Sequence, residues 1–286
     1  MVNLRPVLTV LAVLIALWYA AAVPLNGPRT AEQLARAGSY TAGDWVLGTW
    51  SMTRPVLPAP HQIAVELYSG LLLQPVTSRR SLVFHAAVTA SATLVGLGLG
   101  LVLGVALAIG IVAVPVLDRS LMPWIIASQT VPVLAIAPMI VVVLGNLGVT
   151  GVLPKAVISG YLSFFPVVVG MVKGLRSPDP LQLDLMRTYS AAPRAVFAKL
   201  RWPAATGFLF PSLKVAITLA LTGAVVAELP TGAQAGLGAR LLAGSYYGQT
   251  VQIWAALVMA AVLAILGIGA IDLMERVVIG RRGGRR

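Results

Sequence analysis

Residues able to do chemistry are few in this chain, and their spacing does not fit a catalytic site. The 286 residues include nine Asp and Glu, two His and no Cys, which excludes thiol nucleophiles, disulfides and histidine-rich metal sites. The sequence contains no phosphate-binding loop, no His-Glu-x-x-His and no Gly-x-Ser-x-Gly. Glu228, Asp272 and Glu275 fall at the ends of apolar segments, so none is predicted to pair within a span. The sequence therefore predicts neither an enzyme nor a bound cofactor or metal.

Residues 181–203 form a charged, amphipathic interruption in a chain that is otherwise mostly apolar. Asp179 can cap a first helix there, with Pro180 at its first position, where a missing N–H costs nothing. Apolar side chains then recur at i, i+4 and i+8 and form a stripe that needs a partner, while two opposite charges lie beside it as an i, i+3 pair. The stripe consists of Leu181, Leu185 and Tyr189, and the pair consists of Asp184 and Arg187.

A break follows this first helix. Pro193 disfavours helical geometry at Ala192, so residues 190–192 are predicted to end the first helix and Pro193 to begin a second one. The second helix is predicted to run to Trp202 and to stop at Pro203. The sequence thus predicts a helix–break–helix loop.

The composition indicates what surrounds this loop. Hydrophobic residues make up 58% of the chain and charged residues 10%, and the mean hydropathy is +0.89, values typical of polytopic membrane proteins. The length allows about six spans of ~20 residues with their connections. A net charge of +12 would suit nucleic acid only on the basic face of a soluble module, which this sequence lacks. We predict an all-α membrane protein with about six transmembrane helices in the lipid bilayer and no nucleic-acid partner.

The chain divides into four predicted regions. They are an N-terminal transmembrane helix at 1–24, an outer segment at 25–81 with an interfacial helix at 61–73, a transmembrane core at 82–279 and a basic tail at 280–286. A cleaved signal peptide remains the alternative for the first helix. Prolines 24 and 28 predict loop structure after that helix. Within these regions we predict spans at 7–23, 82–114, 121–144, 152–172, 207–229 and 251–278, joined by loops that include 115–120, 145–151 and 231–249.

Two groups of residues inside the spans indicate contacts with protein or water. Small residues at i+4 spacing form a ridge that lets helices approach closely, either within one subunit or across a dimer. Polar, helix-disrupting or bulky residues are predicted to line a central cavity, although a simple interhelical hydrogen bond is the alternative for the amide. The ridge consists of Gly96, Gly100 and Gly104, and the cavity residues are Gln129, Pro132 and Phe165.

The interruption resembles the cytoplasmic signature of permease subunits of binding-protein-dependent ABC transporters: Glu-Ala-Ala, three residues, Gly, nine residues, Ile, one residue, Leu-Pro. The register fits without gaps, although serine replaces the glycine that turns most cheaply between two helices. The segments 54–60, 164–166 and 236–238 also resemble permeases of the nitrate, sulfonate and taurine type. Asp184, Leu185 and Met186 occupy the opening triplet, Ser190 the glycine, Leu200 the isoleucine, and Trp202 with Pro203 the closing pair.

The resemblance implies a subunit of an importer in the cell inner membrane. The partners that it implies are a second copy of this chain in a homodimer, two cytoplasmic ABC ATPase subunits that hydrolyse the ATP, and an extracytoplasmic substrate-binding protein. Nitrate, sulfonates, taurine, bicarbonate and thiamine-precursor pyrimidines all remain open as solutes. By resemblance, the ATPase-coupling residues are Leu181, Asp184, Leu185, Met186, Arg187, Tyr189, Ser190, Leu200, Trp202 and Pro203.

Charge distribution predicts the orientation. With the N-terminus inside, the inner segments hold thirteen Lys and Arg and the outer segments hold six, so both termini are predicted to be cytoplasmic. A stand-alone secondary transporter is the alternative function, but it would be expected to carry buried charges for ion coupling. A membrane enzyme is a third hypothesis, for which the sequence offers no catalytic constellation.

Overall fold

The computed structural model describes residues 4–229 and 235–280, and this part of the chain is helical and contains no strand. Within these residues, five helices are long and apolar enough to cross a membrane, and a sixth candidate span is a pair of helices bent by 99°. The structure therefore confirms the predicted all-α polytopic architecture. Its helices are α1 (Leu4–Ala37), α2 (Ala42–Ser51), α3 (Pro60–Tyr68), α4 (Leu82–Ala113), α5 (Pro115–Ser128), α6 (Val133–Asn146), α7 (Val152–Leu175), α8 (Pro180–Thr188), α9 (Pro193–Val196), α10 (Trp202–Glu228), α11 (Leu237–Tyr246) and α12 (Thr250–Gly280).

Two compact units make up the structure. The first comprises residues 1–85 and 239–259, and the second comprises residues 86–238 and 260–286. The second unit holds the loop that resembles the permease signature, and its core is built around α7 and α10. Residues 281–286, which hold most of the predicted basic tail, and residues 230–234 lie outside the described residues.

In the first unit, α1 is longer than predicted. It continues to Ala37 through Pro24 and Pro28, where we expected a loop, so that expectation was wrong. Asn26, between the two prolines, is fully buried. Its side chain is hydrogen-bonded to backbone groups of residues 49–57, which favours the helix there over a loop. Asn26 Nδ2 donates to Thr49 O at 3.0 Å and Leu57 O at 2.8 Å, and Asn26 Oδ1 accepts from Val56 N at 2.7 Å.

In the second unit, the glycine ridge of α4 packs against α7 of the same chain. A Cβ on Gly96 would meet Ser159, and one on Gly104 would lie 2.8 Å from the side chain of Val167. Of the two alternatives left open by the sequence, the structure therefore shows packing within one subunit. The ridge lets α4 and α7 approach closely enough to form part of the buried core.

Gly100→Ala is expected to destabilise the second unit by about 1–3 kcal/mol, because the new Cβ has no room. It would meet the Ser163 side chain and lie 3.0 Å from Gly160 O. Gly98 is the matched control, since nothing lies within 4 Å of a Cβ there. Gly98→Ala should stabilise the helix by about 0.5–1 kcal/mol through its higher helix propensity. Thermal unfolding of the purified protein in detergent measures both changes, and equal midpoints for the two variants would contradict the close packing.

The segment after α4 differs from prediction in two ways. Residues 115–120 are not a loop, because Pro115 occupies the first turn of α5, where its missing N–H costs nothing. Residues 121–144 are not one continuous span, because the chain breaks between Ser128 and Val133. Pro132 lacks an N–H and disfavours helical geometry at the residue before it, so it caps α6 instead of continuing α5.

The predicted stop at Pro203 is also wrong. A π-helical turn (Phe197–Arg201) joins α9 to α10, and Pro203 lies in the first turn of α10. The N–H of Trp202 reaches back to Phe197 O in the wider turn, so the helix continues past the proline. One apolar helical run therefore extends over Pro193–Glu228. Farther on, the predicted loop at 231–249 contains α11.

Candidate functional site

The first helix of the loop begins where the sequence predicted. Asp179 Oδ1 accepts a hydrogen bond from Leu181 N at 2.8 Å, and Asp179 N donates to Gln182 Oε1 at 3.3 Å. Pro180 occupies the first helical position. These local contacts fix the start of α8 without help from tertiary structure.

The predicted apolar stripe lies on the outside of α8. Leu181, Leu185 and Tyr189 are 78%, 55% and 75% exposed. Beside them, Arg187 Nη1 donates to Asp184 Oδ1 at 2.8 Å, and both charged side chains are exposed. The opposite side of α8 faces its own unit, since Leu183 lines a cavity of about 430 Å³ with Ile109, Val112 and Phe197. On that side Leu183 is half-buried, whereas the stripe on the other side of α8 is exposed.

Ser190 stands at the signature's glycine position, and its backbone has φ +49°. Ser190 N donates to Arg187 O at 2.8 Å, and Ala191 N donates to Met186 O at 3.0 Å. This pair of bonds is the Schellman arrangement, which ends a helix with one residue in the left-handed region. The left-handed conformation explains why a glycine suits this position, and serine adopts it here at a cost of about 1–2 kcal/mol.

Ser190→Gly is expected to change stability by no more than about 0.5 kcal/mol, because the relief of backbone strain is offset by greater freedom of the unfolded chain. Ser190→Val should be about 1–2 kcal/mol worse than Ser190→Gly, because a β-branched side chain is least compatible with positive φ. Amide hydrogen exchange of the last turn of α8 measures this difference. Equal exchange rates in the two variants would show that the left-handed turn is not kept in solution.

The second half of the signature lies against the core of the second unit. Leu200 and Trp202 are half-buried and Pro203 is exposed. Trp202 contacts Phe197 with ring centroids 6.0 Å apart. Arg201, which the sequence reasoning used only in the charge count, donates from Nη1 to Leu175 O at 3.3 Å and so caps the end of α7. The structure thus separates the signature into an exposed first half, apart from the half-buried Met186, and an anchored second half.

Two of the three predicted cavity residues meet at the break between α5 and α6. Gln129 caps the end of α5 and donates from Nε2 to Ser128 Oγ at 3.3 Å. Pro132 is exposed and begins the turn into α6. The hydroxyl of Tyr161 on α7 donates to Ser128 O and holds this break. Phe165 is half-buried on α7 and packs against the hydrophobic core.

Sequence reasoning missed a buried ion pair. Lys155 Nζ lies 3.3 Å from Glu228 Oε1, and the two side chains are 12% and 0% exposed. Thr89 Oγ1 lies 2.9 Å from Glu228 Oε2 and donates to the carboxylate. Glu228 lies at the end of α10, as the sequence predicted, but it is an enclosed carboxylate that joins α4, α7 and α10.

The segment 236–238, noted in the sequence as Gly-Leu-Gly, encloses the same carboxylate. Gly238 N donates to Glu228 Oε2 at 2.9 Å, and Leu237 N donates to Thr89 Oγ1 at 2.8 Å. Gly236 has φ +125°, and a Cβ there would collide with the carboxylate of Glu228. The glycines were thus a usable signal for a close backbone approach, but their partner could not be read from the sequence.

A known protein family matches the part of the chain that contains the helix–break–helix loop. The sequence profile of the binding-protein-dependent transport system inner membrane component family matches residues 96–282. The chain is 30% identical over 239 residues to the formylaminopyrimidine transport permease protein ThiX of Halalkalibacterium halodurans, covering 82% of this chain and 90% of that protein.

Two further relatives differ in the solutes that their names give. The riboflavin transport system permease protein RibX of Chloroflexus aurantiacus is 33% identical over 229 residues, which are 78% of this chain and 80% of RibX. The putative aliphatic sulfonates transport permease protein SsuC of Bacillus subtilis is 28% identical, covering 80% of this chain and 79% of SsuC. With its apolar helices and the helix–break–helix loop in the register of the permease signature, the chain belongs to the binding-protein-dependent transport system inner membrane components, the permeases of ABC transporters.

Proposed function

We propose that this chain is the permease subunit of an ABC importer, in which two copies form the pathway for a small solute and each copy couples to a cytoplasmic ATPase through residues 181–203. The family supports the general role of a membrane permease that works with an ATPase and a binding protein. The observation that carries the finer proposal is the exposed stripe of α8. An amphipathic helix whose apolar stripe is exposed is suited to a groove on another protein.

The coupling contact is proposed to consist of the stripe Leu181, Leu185 and Tyr189, with Asp184 and Arg187 fixing its register. Movement of the ATPase subunit would then be passed on by the anchored second half of the loop. That half continues into α10 without a break in the helical run Pro193–Glu228. A continuous helix transmits a displacement better than a flexible linker, so this connection suits a coupling element.

The break between α5 and α6 is proposed to face the pathway or the second copy of the chain. Peptide groups outside helices need partners within a membrane, and an exposed break in lipid would leave them unpaired. Thr130, Val131 and Pro132 are all exposed at the bend of 99°. Gln129 and Phe165 are assigned to the same pathway because both lie in this unit at half-buried positions.

The solute is proposed to be small and water-soluble, of the nitrate, sulfonate, taurine or thiamine-precursor kind. The relatives are named for solutes as different as riboflavin and aliphatic sulfonates. This spread supports selection by a separate binding protein, which delivers the solute to the permease.

The excess of thirteen inner over six outer Lys and Arg predicts that both termini are cytoplasmic. Reporter fusions at Gly148 and Thr231 should therefore read outside, and fusions at Asp118, Ala192 and the C-terminus should read inside. Activity of paired cytoplasmic and extracytoplasmic reporters in whole cells measures this. An outside reading at Ala192 ends the coupling proposal, since an ATPase could not reach α8.

Uptake energetics test the proposed function against a stand-alone secondary transporter. Vesicles that contain this chain with its ATPase and binding protein should take up solute when ATP is supplied inside the compartment that holds the ATPase. Uptake should persist when an ionophore collapses the ion gradients and should stop when ATP hydrolysis is blocked. Uptake that follows the ion gradient and ignores ATP would establish the secondary transporter instead.

A further inference from the structure

One member of the buried ion pair, Lys155, borders a cavity. Glu228 is fully buried, and its carboxylate is enclosed by the Thr89 hydroxyl, the Gly238 N–H and Lys155. Lys155 is partly exposed and lines a cavity. Lys155 therefore lies between the cavity and Glu228. The charge nearest to the cavity is the positive ammonium group of Lys155.

The cavity next to Lys155 has the size of a small-molecule site. Its volume is about 710 Å³, within the range of roughly 300–1,000 Å³ for such sites. Of the described residues that line it, Lys155 alone is ionisable, and the remainder are small or apolar apart from Thr150.

The ammonium group of Lys155 has more donors than the described residues offer acceptors. A lysine ammonium carries three N–H groups. In the part of the chain that the structure describes, its acceptors are Glu228 Oε1 at 3.3 Å and Ala235 O at 3.0 Å. Among the described residues, one N–H of Lys155 therefore has no acceptor and is available to a ligand in the cavity.

We propose that this cavity is a solute subsite, in which Lys155 donates to an acceptor oxygen of the transported solute and binds anionic oxygens most tightly. The inference rests on the proposed permease function and adds to it a specificity-determining residue. Glu228 partly offsets the attraction, so the site holds a solute only moderately. A transport site must release what it binds, and a compensated cation meets that need better than a bare one.

The absence of native cysteine permits a direct test of the positive cavity wall. Thr150→Cys places a single thiol in the cavity lining of the purified full-length chain. The rates at which this thiol reacts with an anionic and with a cationic methanethiosulfonate are compared. The control is Ser245→Cys, at an exposed position, which gives the intrinsic ratio of the two reaction rates. After this correction, the anionic reagent is expected to react about tenfold faster than the cationic one.

Variants that change the charge at position 155 or 228 test whether Lys155 causes the faster reaction with the anionic reagent. In a Thr150→Cys background, Lys155→Gln should abolish the preference and Lys155→Arg should retain it. Lys155→Gln/Glu228→Gln removes both charges, so it should also abolish the preference while leaving a neutral pair that folds more readily. Added salt should reduce the preference of the parent variant.

Three results would each overturn the subsite. They are no reaction of the Thr150→Cys thiol with either reagent, a ratio equal to that of the Ser245→Cys variant, or an unchanged ratio when both charges are removed. Because labelling requires neither ATPase nor binding protein, these outcomes are independent of the uptake experiment. A failure of the proposed function would therefore be seen separately.

Discussion

Lys155→Met is expected to lower the free energy of unfolding by about 3–5 kcal/mol, because it leaves the carboxylate of Glu228 buried without its counter-ion. The Thr89 hydroxyl and the Gly238 N–H would remain as hydrogen-bond donors to that carboxylate, but neither carries a charge. Thermal unfolding of the purified chain in detergent should show a midpoint lower by on the order of 10 °C.

Lys214→Met is the matched control for this effect. Lys214 Nζ lies 2.5 Å from Asp272 and 2.7 Å from Glu275, but its side chain is 30% exposed. This pair is less buried than that of Lys155 and Glu228, so its loss should cost less than the loss of Lys155. Adding Glu228→Gln to Lys155→Met should recover part of the lost stability, because the stranded charge disappears. If Lys155→Met and Lys214→Met lower the free energy of unfolding equally, burial does not determine how much an ion pair contributes to stability.

Tyr189→Ala or Asp184→Lys is expected to abolish transport while expression and membrane insertion stay near normal. A short helix in a groove depends on a few residues, so loss of one aromatic side chain or reversal of one charge could weaken the contact by about 2 kcal/mol or more. That loss corresponds to roughly a thirtyfold weaker association with the ATPase. Assembly, solute transport and ATPase stimulation by the binding protein are measured in vesicles.

Tyr246→Ala serves as the control for the tyrosine, because Tyr246 is also exposed but lies on α11. It should leave assembly with the ATPase unchanged. If Asp184 only pairs with Arg187 on a solvated surface, its reversal would cost a few tenths of a kcal/mol. Wild-type assembly, transport and stimulation in both Tyr189→Ala and Asp184→Lys would disprove the coupling role of α8.

Features with local causes could be predicted from the sequence. The start of α8 depends on Asp179 and Pro180, which lie next to the backbone groups that they cap or replace. The exposed stripe likewise needs only helical spacing. The spans were recognisable because about twenty apolar residues in succession have few other stable settings.

Features that depend on distant partners could not be predicted. Glu228 looked like a charge at a span end because Lys155 is 73 residues away and Thr89 is 139 residues away. Pro24 and Pro28 indicated a loop because Asn26 takes its partners 23 to 31 residues later in the chain. In both places a buried hydrogen-bond network overrides local preference, and a single sequence does not pair such residues.

In the proposed coupling, the helical run Pro193–Glu228 would act as a lever. Its 36 residues would extend roughly 50 Å at 1.5 Å per residue, well beyond the ~30 Å of hydrocarbon. The loop that carries the stripe of α8 lies at one end, and the carboxylate bound by Lys155 lies at the other. A tilt of about 5° over that length moves one end by roughly 4 Å, more than the length of a hydrogen bond. A small rotation at the ATPase would therefore be large enough, at the opposite end, to strain or break the contacts of Glu228.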